Sequence, residues 1–403
     1  MYEEAANEET IKDVLSESRL HKLMVAYDNL EKLPIWGFVL LALVLAGVAT
    51  APWYFFLGRE TAVSLFFLQL LFMVGDTAVL LALPKKRLSF GPWKAQTIVL
   101  ATPRTLTTMA LSLVGWQFGA VWGIGLTVLT QLSATAAFIW GSVIEPFRLS
   151  LTELYVFSDR LPPDTPPIRI LHISDLHIER LTKREAAVLK LAKDAQPDLI
   201  AITGDYVNLS YNQDPETHAQ VRQLLSQLSA PYGVYATLGS PPVDLHEEVV
   251  PLFEGLPIHL MRQSWLEVNL DEGRQLIVLG MDCTHHLPTD QARLKRLIAA
   301  APNSAPQALL FHSPELMPQA IEYGIDLYMC GHTHGGQVRL PLIGPILTSS
   351  QLGRKYVMGL YRHGRTNLYV SRGIGLEGLS APRVRFLAPP EMALINILPS
   401  SKR

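Results

Sequence analysis

Ile168–Ser174 reads IRILHIS and runs straight into Asp175-Leu176-His177. A short run of β-branched and other apolar residues, closed by a polar turn, is the pattern of a buried strand. A carboxylate and an imidazole at i and i+2 beyond a strand end can converge on one cation. Working outward, the alternation continues. Arg184–Ala195 and Thr217–Leu228 read as helices. Leu199–Thr203, Gly233–Leu238, Leu276–Met281, Ala308–Phe311, Leu327–Cys330, Asn367–Ser371 and Ala393–Ile397 read as strands. Strands interleaved with helices predict an α/β domain.

Metal-ligating residue types recur at the C-terminal ends of these strands. The second strand ends in Gly204-Asp205, a later one in His312, and another in Gly331-His332-Thr333-His334. Each signal alone is weak, since Asp-x-His and Gly-Asp are common pairs and a lone histidine is more often core or surface than ligand. Together they place two carboxylates (Asp175, Asp205) and four histidines (His177, His312, His332, His334) at strand ends. Such a mixed set suits Zn, Fe, Mn or Ni better than Ca.

The order Asp-x-His, Gly-Asp, single His, Gly-His-x-His resembles that of calcineurin-like metallophosphoesterases. The phrases LHISDLHIER, AITGDYVN, CGHTHGGQVRLP and LYVSRGIG bring the membrane-linked, YkuE-like branch nearest. The resemblance covers about Ile168 to Leu398. It implies a four-layer α/β/β/α sandwich and a site for two divalent metal ions. One ion would take Asp175, His177, Asp205 and His334. The other would take Asp205 as a bridge, with His312 and His332.

The chain departs from the family pattern after its third strand. Where the family has Gly-Asn-His, this sequence has Gly239-Ser240-Pro241-Pro242. The asparagine would complete the second metal site, and the histidine would contact phosphate and assist the leaving group. Serine is a poor neutral ligand and proline can do neither job, so the sequence names no catalytic acid. Asp244, His246, His285 and His286 are candidate replacements.

The first half is of another kind. The chain of 403 residues is 49% hydrophobic and only 17% charged, against about 25% charged in an ordinary soluble domain. Most of the apolar excess precedes residue 147. Pro34–Gly58 carries no charge, Thr61–Leu83 carries only Asp76, and Thr105–Ile144 carries none. Crossing a bilayer takes about 20 residues. These stretches predict about four transmembrane helices, the last two divided near Gly115-Trp116-Gln117-Phe118-Gly119. Lys and Arg alternate between loops. Lys12, Arg19, Lys22 and Lys32 precede the first span, Arg59 alone follows it, and Lys85, Lys86, Arg87, Lys94 and Arg104 surround the second loop. Positive residues mark the cytoplasmic side, which puts both chain ends inside. Asp76 is costly within a span. A structural pair with Arg104 is the leading reading, and a part in proton or ion movement is the sharper alternative.

The expected organisation is therefore an amphipathic or flexible segment (1–33), a transmembrane domain (34–147), a linker (148–167), a metallophosphoesterase domain (168–398) and a tail (399–403). The expected location is a plasma or inner membrane, with the large domain cytoplasmic. Formal net charge is -2, with no basic surface to advertise nucleic acid as partner. Two cysteines in unrelated contexts, Cys283 and Cys330, exclude a disulfide framework. Gly373-Ile374-Gly375-Leu376-Glu377-Gly378 matches a dinucleotide fingerprint, but Ser380-Ala381-Pro382 follows instead of a helix. The leading function is hydrolysis of a phosphoester or pyrophosphate. Membrane tethering favours a lipid-linked substrate, and a related branch implies UDP-diacylglucosamine as a candidate. The rival is a metal-binding regulatory or sensor domain coupled to the membrane bundle.

Overall fold

In the computed structural model, residues 19–402 are described. The chain divides into two compact units. One holds Arg19–Ile144 with Glu377–Val384, the other Glu145–Leu376 and the chain from Arg385 onward.

The first unit is helical: α1 (Arg19–Asp28), α2 (Ile35–Leu57), α3 (Arg59–Lys85), α4 (Trp93–Phe118) and α5 (Ala120–Ile139). Residues 1–18 of the expected N-terminal segment lie outside the described residues. Four helices are long and apolar enough to cross a membrane. The expected break falls at Gly119, whose φ of 98° ends α4 and starts α5, a conformation L-residues with a Cβ resist. Inside the bundle the predicted ion pair is formed. Arg104 donates from Nε and Nη2 to both carboxylate oxygens of Asp76, at 2.8 and 2.9 Å. Its Nη1 reaches the backbone oxygen and Oε1 of Gln131. Gln131 in turn donates to Gln69 and Thr108. Where little water can reach, polar groups must satisfy one another. This network does so for Asp76, Arg104 and Gln131 across α3, α4 and α5, while Gln69 Nε2 keeps no hydrogen-bond partner among the described residues.

The second unit is a sandwich of two six-stranded sheets. The first runs β1 (Ser150–Ser158), β14 (Glu391–Pro399), β2 (Ile168–Ile173), β3 (Leu199–Thr203), β4 (Val234–Thr237), β5 (Ile258–Leu260). The second runs β12 (Gly359–His363), β13 (Thr366–Val370), β9 (Leu327–Cys330), β8 (Gln307–Leu310), β7 (Gln275–Gly280), β6 (Ser264–Asn269). β10 (Arg339–Leu340) and β11 (Gly344–Pro345) form a separate hairpin. Ile168, Ile170, Leu199 and Ala201 of one sheet pack against Leu276, Val278, Ala308 and Leu310 of the other. Outside the first sheet lie α6 (Lys183–Ala195) and α7 (Pro215–Leu225), through Val188, Val221 and Leu224. The single turn α8 (His246–Val249) precedes β5. Outside the second sheet lie α9 (Leu287–Ala300) and α10 (Met317–Tyr323), through Leu294 and Met317. The layers are α/β/β/α, as expected.

Strands β2, β3 and β4 are parallel neighbours, as are β7, β8 and β9. Their C-terminal ends therefore gather at one edge, where ligands collect in parallel sheets. A capping box fixes the start of α6: Thr182 accepts from the Arg184 N–H, and the Glu185 carboxylate accepts from the Thr182 N–H. One expectation needs correction. Residues 148–167 are not merely a linker, because Ser150–Ser158 forms β1 and pairs in parallel along the length of β14. β1 carries Leu151, Leu154, Tyr155, Val156 and Phe157 but, as an edge strand, buries only Val156 and Ser158, and the proline-rich Leu161–Pro167 beside it gives the whole segment the look of a connection.

Removing one partner of a buried pair strands the other charge, which typically costs about 3–5 kcal/mol. Asp76→Ala should therefore lower the melting temperature of the purified protein in detergent more than Asp76→Ala with Arg104→Leu does. Equal melting of the single and double variants would deny the pair its structural role.

Candidate metal centre

Each candidate ligand sits on a loop that a strand end positions. Asp175 and His177 follow β2, Asp205 follows β3, His312 follows β8, and His332 and His334 follow β9. Both sheets thus contribute to one edge. The six are brought together as two buried groups able to hold a cation: Asp175, His177 and His334, and Asp205, His312 and His332. The Asp205 carboxylate stands between them. Its Oδ2 lies 3.4 Å from His177 Nε2 and 3.2 Å from His312 Nε2. His177 and His334 meet at 3.0 Å between their Nε2 atoms.

The backbone is bent to make this possible. Asp175, His177, Asp205, His332 and His334 all have φ between 39° and 68°. Such conformations cost roughly 1–3 kcal/mol each for residues with a side chain and cluster at functional sites. Backbone hydrogen bonds hold them there. The Asp175 N–H donates to Gly204 O, and the His177 N–H to Asp205 O. The His332 N–H donates to Asp175 Oδ1 at 2.8 Å. Gly331 lets the loops close, since a Cβ there would lie 2.0 Å from Asp175 Oδ2. The Gly373-Ile374-Gly375 loop packs on the same turn, with the Gly375 N–H donating to Asp175 O.

The electrostatics suit a cation. Burial pushes the Asp175 carboxyl up, opposed by His312. Burial would do the same to Asp205, but His312 and His177 beside it hold it well below the usual carboxylate range. Burial alone would lower His312, yet Asp205 raises it to about 10. Each cluster also keeps lone pairs unspent: Asp175 Oδ2 and His332 Nε2 are buried with no hydrogen-bond partner among the described residues. Unpaired buried polar atoms are costly, and two carboxylates among four imidazoles form a donor set that fits divalent transition metals.

The irregular Gly239–Asp244 segment lies beside the second group. The Ser240 N–H donates to Asp205 Oδ1 at 2.7 Å, which leaves Oδ2 to face the histidines. Of the four candidate replacements for the missing histidine, three are engaged otherwise. The Asp244 carboxylate accepts from the N–H groups of Asp205, Tyr206 and Gly239, bracing the turn; burial and the Asp205 charge lift it to about 7. His246 contacts Arg262, and His286 is exposed and bonds Thr289. His285 is the exception. Its Nε2 meets Ser240 Oγ at 3.1 Å, and its ring centroid lies 4.5 Å from that of His332. It too has a positive φ, 56°.

Residues 168–336, which span all six clustered residues, match the calcineurin-like phosphoesterase family. The chain is 29% identical over 279 residues to the uncharacterized metallophosphoesterase YkuE of Bacillus subtilis (strain 168), covering 68% of this chain and 94% of that relative. It is 26% identical over 276 residues to the phosphodiesterase YaeI of Escherichia coli (strain K12), covering 66% and 95%. It is 23% identical over 336 residues to the UDP-2,3-diacylglucosamine pyrophosphatase LpxG of Chlamydia trachomatis serovar D, covering 68% and 98%. Sequence motifs, layered fold and these matches agree: residues 168–336 match the calcineurin-like phosphoesterase family, and the chain is similar to proteins named as metallophosphoesterases.

Proposed function

We propose that this protein is a membrane-anchored, two-metal hydrolase of phosphoester or pyrophosphate bonds, with its large domain on the cytoplasmic side. The observation that carries the reading is the place of Asp205, one of whose oxygens faces a histidine of each cluster. In this reading Asp175, His177, Asp205 and His334 hold one divalent ion, and Asp205, His312 and His332 hold the other. When bound, a pair of such ions supplies Lewis acidity toward phosphate oxygens and acidifies an attacking water.

The protein's own groups do the rest. Ser240 fixes Asp205 through its backbone N–H, so the shared oxygen cannot rotate away. His285, held by Ser240 Oγ, offers its imidazole N–H to a phosphate or leaving-group oxygen beside the second cluster. That is the work for which the family pattern would use the histidine replaced by Pro241. The helices favour a lipid-linked substrate. The name of the LpxG relative makes UDP-2,3-diacylglucosamine the first compound to test. The Ser240-Pro241 replacement also supports a second reading, a metal-binding sensor, which retains metal and lacks turnover on every substrate.

Asp→Asn keeps the shape of a bridge and removes its charge. Asp205→Asn should lose most of the metal that co-purifies with wild type, read by elemental analysis with circular dichroism as the fold control. Metal content equal to wild type would remove the bridging role. His285→Ala should keep its metal and turn over alkyl phosphates about 10²-fold or more slowly, as loss of a positioned acid–base group does. Aryl phosphates, with better leaving groups, should suffer less. Unchanged rates on both would assign that role to another residue. A reporter fused after residue 403 should report the cytoplasm and one at Arg59 the outside. The reverse result would invert the orientation.

A further inference from the structure

The hairpin β10–β11 starts at Arg339, three residues after Gly336 at the end of the His332–His334 loop, and carries an unusual tip. Leu340-Pro341-Leu342-Ile343 is a run of consecutive exposed apolar residues. Leu342 is fully exposed (108%), Ile343 60%, and Leu347 56%, with Ile346 and Leu340 close behind. Scattered surface leucines need no explanation. A contiguous exposed run of this kind marks an interaction site. Leu342 is held outward by a φ of 66°, an unfavourable conformation for leucine. A loop selected only for solubility would place Gly or Asn there.

The tip is built onto the candidate metal site. At its start, Arg339 Nη1 donates to Gly335 O at 2.8 Å. At its end, Ser349 Oγ donates to His332 O at 2.9 Å. Both ends thus grip the loop that carries His332 and His334. The charge around the tip has one sign. Leu340 to Gly353 is uncharged, Arg339 precedes it, and the exposed Arg354 and Lys355 follow it. From Leu327 to Leu376 there is no acidic residue, and six are Lys or Arg.

We infer that this hairpin is a membrane-inserting element: Leu340, Leu342, Ile343, Ile346 and Leu347 enter the headgroup–acyl boundary of an anionic bilayer, with Arg339, Arg354 and Lys355 at the phosphates. Aliphatic tips flanked by cationic side chains bind such interfaces by apolar burial plus charge attraction. A purely apolar protein partner would leave the cationic rim unused. The four span-length helices of the same chain keep a bilayer within reach. The inference rests on the membrane-anchored reading and adds to it that the metal loops are held at the lipid surface, where a phosphate on a lipid headgroup lies.

The test uses the full chain with Leu342→Cys carrying an environment-sensitive nitrobenzoxadiazole label. The native Cys283 and Cys330 are buried and spared by the reagent. The protein is reconstituted in phosphatidylethanolamine–phosphatidylglycerol vesicles, and flotation verifies membrane incorporation independently. Emission should be blue-shifted, quenched by lipids spin-labelled high on the acyl chain, and protected from aqueous iodide. A label at exposed Glu322→Cys should show the opposite. Insertion of about 5–10 Å is expected of an interfacial element. Replacing phosphatidylglycerol with phosphatidylcholine should weaken the lipid quenching. Emission open to iodide overturns the proposal. So does emission shielded from both quenchers, which would mean that a second copy covers the tip. The readout involves neither metal nor turnover, so it can fail while the hydrolase reading stands, and the reverse.

Discussion

Two buried carboxylates within reach of four imidazoles are the constraint on which the large domain depends. Asp175 and Asp205 are withdrawn from water at the meeting of two sheets, and neither sheet alone assembles their partners. Burying carboxylates is expensive unless opposite charge is supplied. Here His312, lifted to about 10 by Asp205, stands ready as that charge. A cation entering the cluster needs neutral imidazoles, so its binding is coupled to release of protons. The parallel order of β2–β3–β4 and β7–β8–β9 brings the strand ends to this edge, and the strained φ values of five candidate ligands measure how firmly the scaffold imposes it.

Much of this was legible because ligand types at strand ends are a pattern with a geometric cause. Leu199–Thr203 and Leu327–Cys330 match the observed β3 and β9 end for end. Other elements were invisible for physical reasons. The edge strand β1 buries little, and the short β5 (Ile258–Leu260) and β6 (Ser264–Asn269) carry few apolar residues on one face. α9 was readable in principle, since Pro288 stands at its first turn and Leu294 and Leu297 share its buried side.

The segment Gly239–Asp244 shows what a motif hides. By motif alone, Asp244 and His285 stood as equal candidates to replace a lost group. In three dimensions Asp244 is spent on three backbone N–H groups and holds the loop's shape. His285 arrives from the loop after β7 in the other sheet to meet Ser240. Sequence distance of 45 residues conceals that meeting. Its one local trace is the left-handed backbone at His285, which only coordinates reveal.

The straddling position of the site has a further consequence. Asp205 belongs to one sheet and His312 to the other, and the core between the two sheets is packed with apolar side chains. An ion shared across that seam, as proposed, would act as a clasp between distant stretches of chain, since anything that binds the folded state alone shifts the folding balance by mass action. A protein whose seam opens more often is more often caught by proteases. Metal supply would then set how long each molecule survives in the cell, as well as whether it can work.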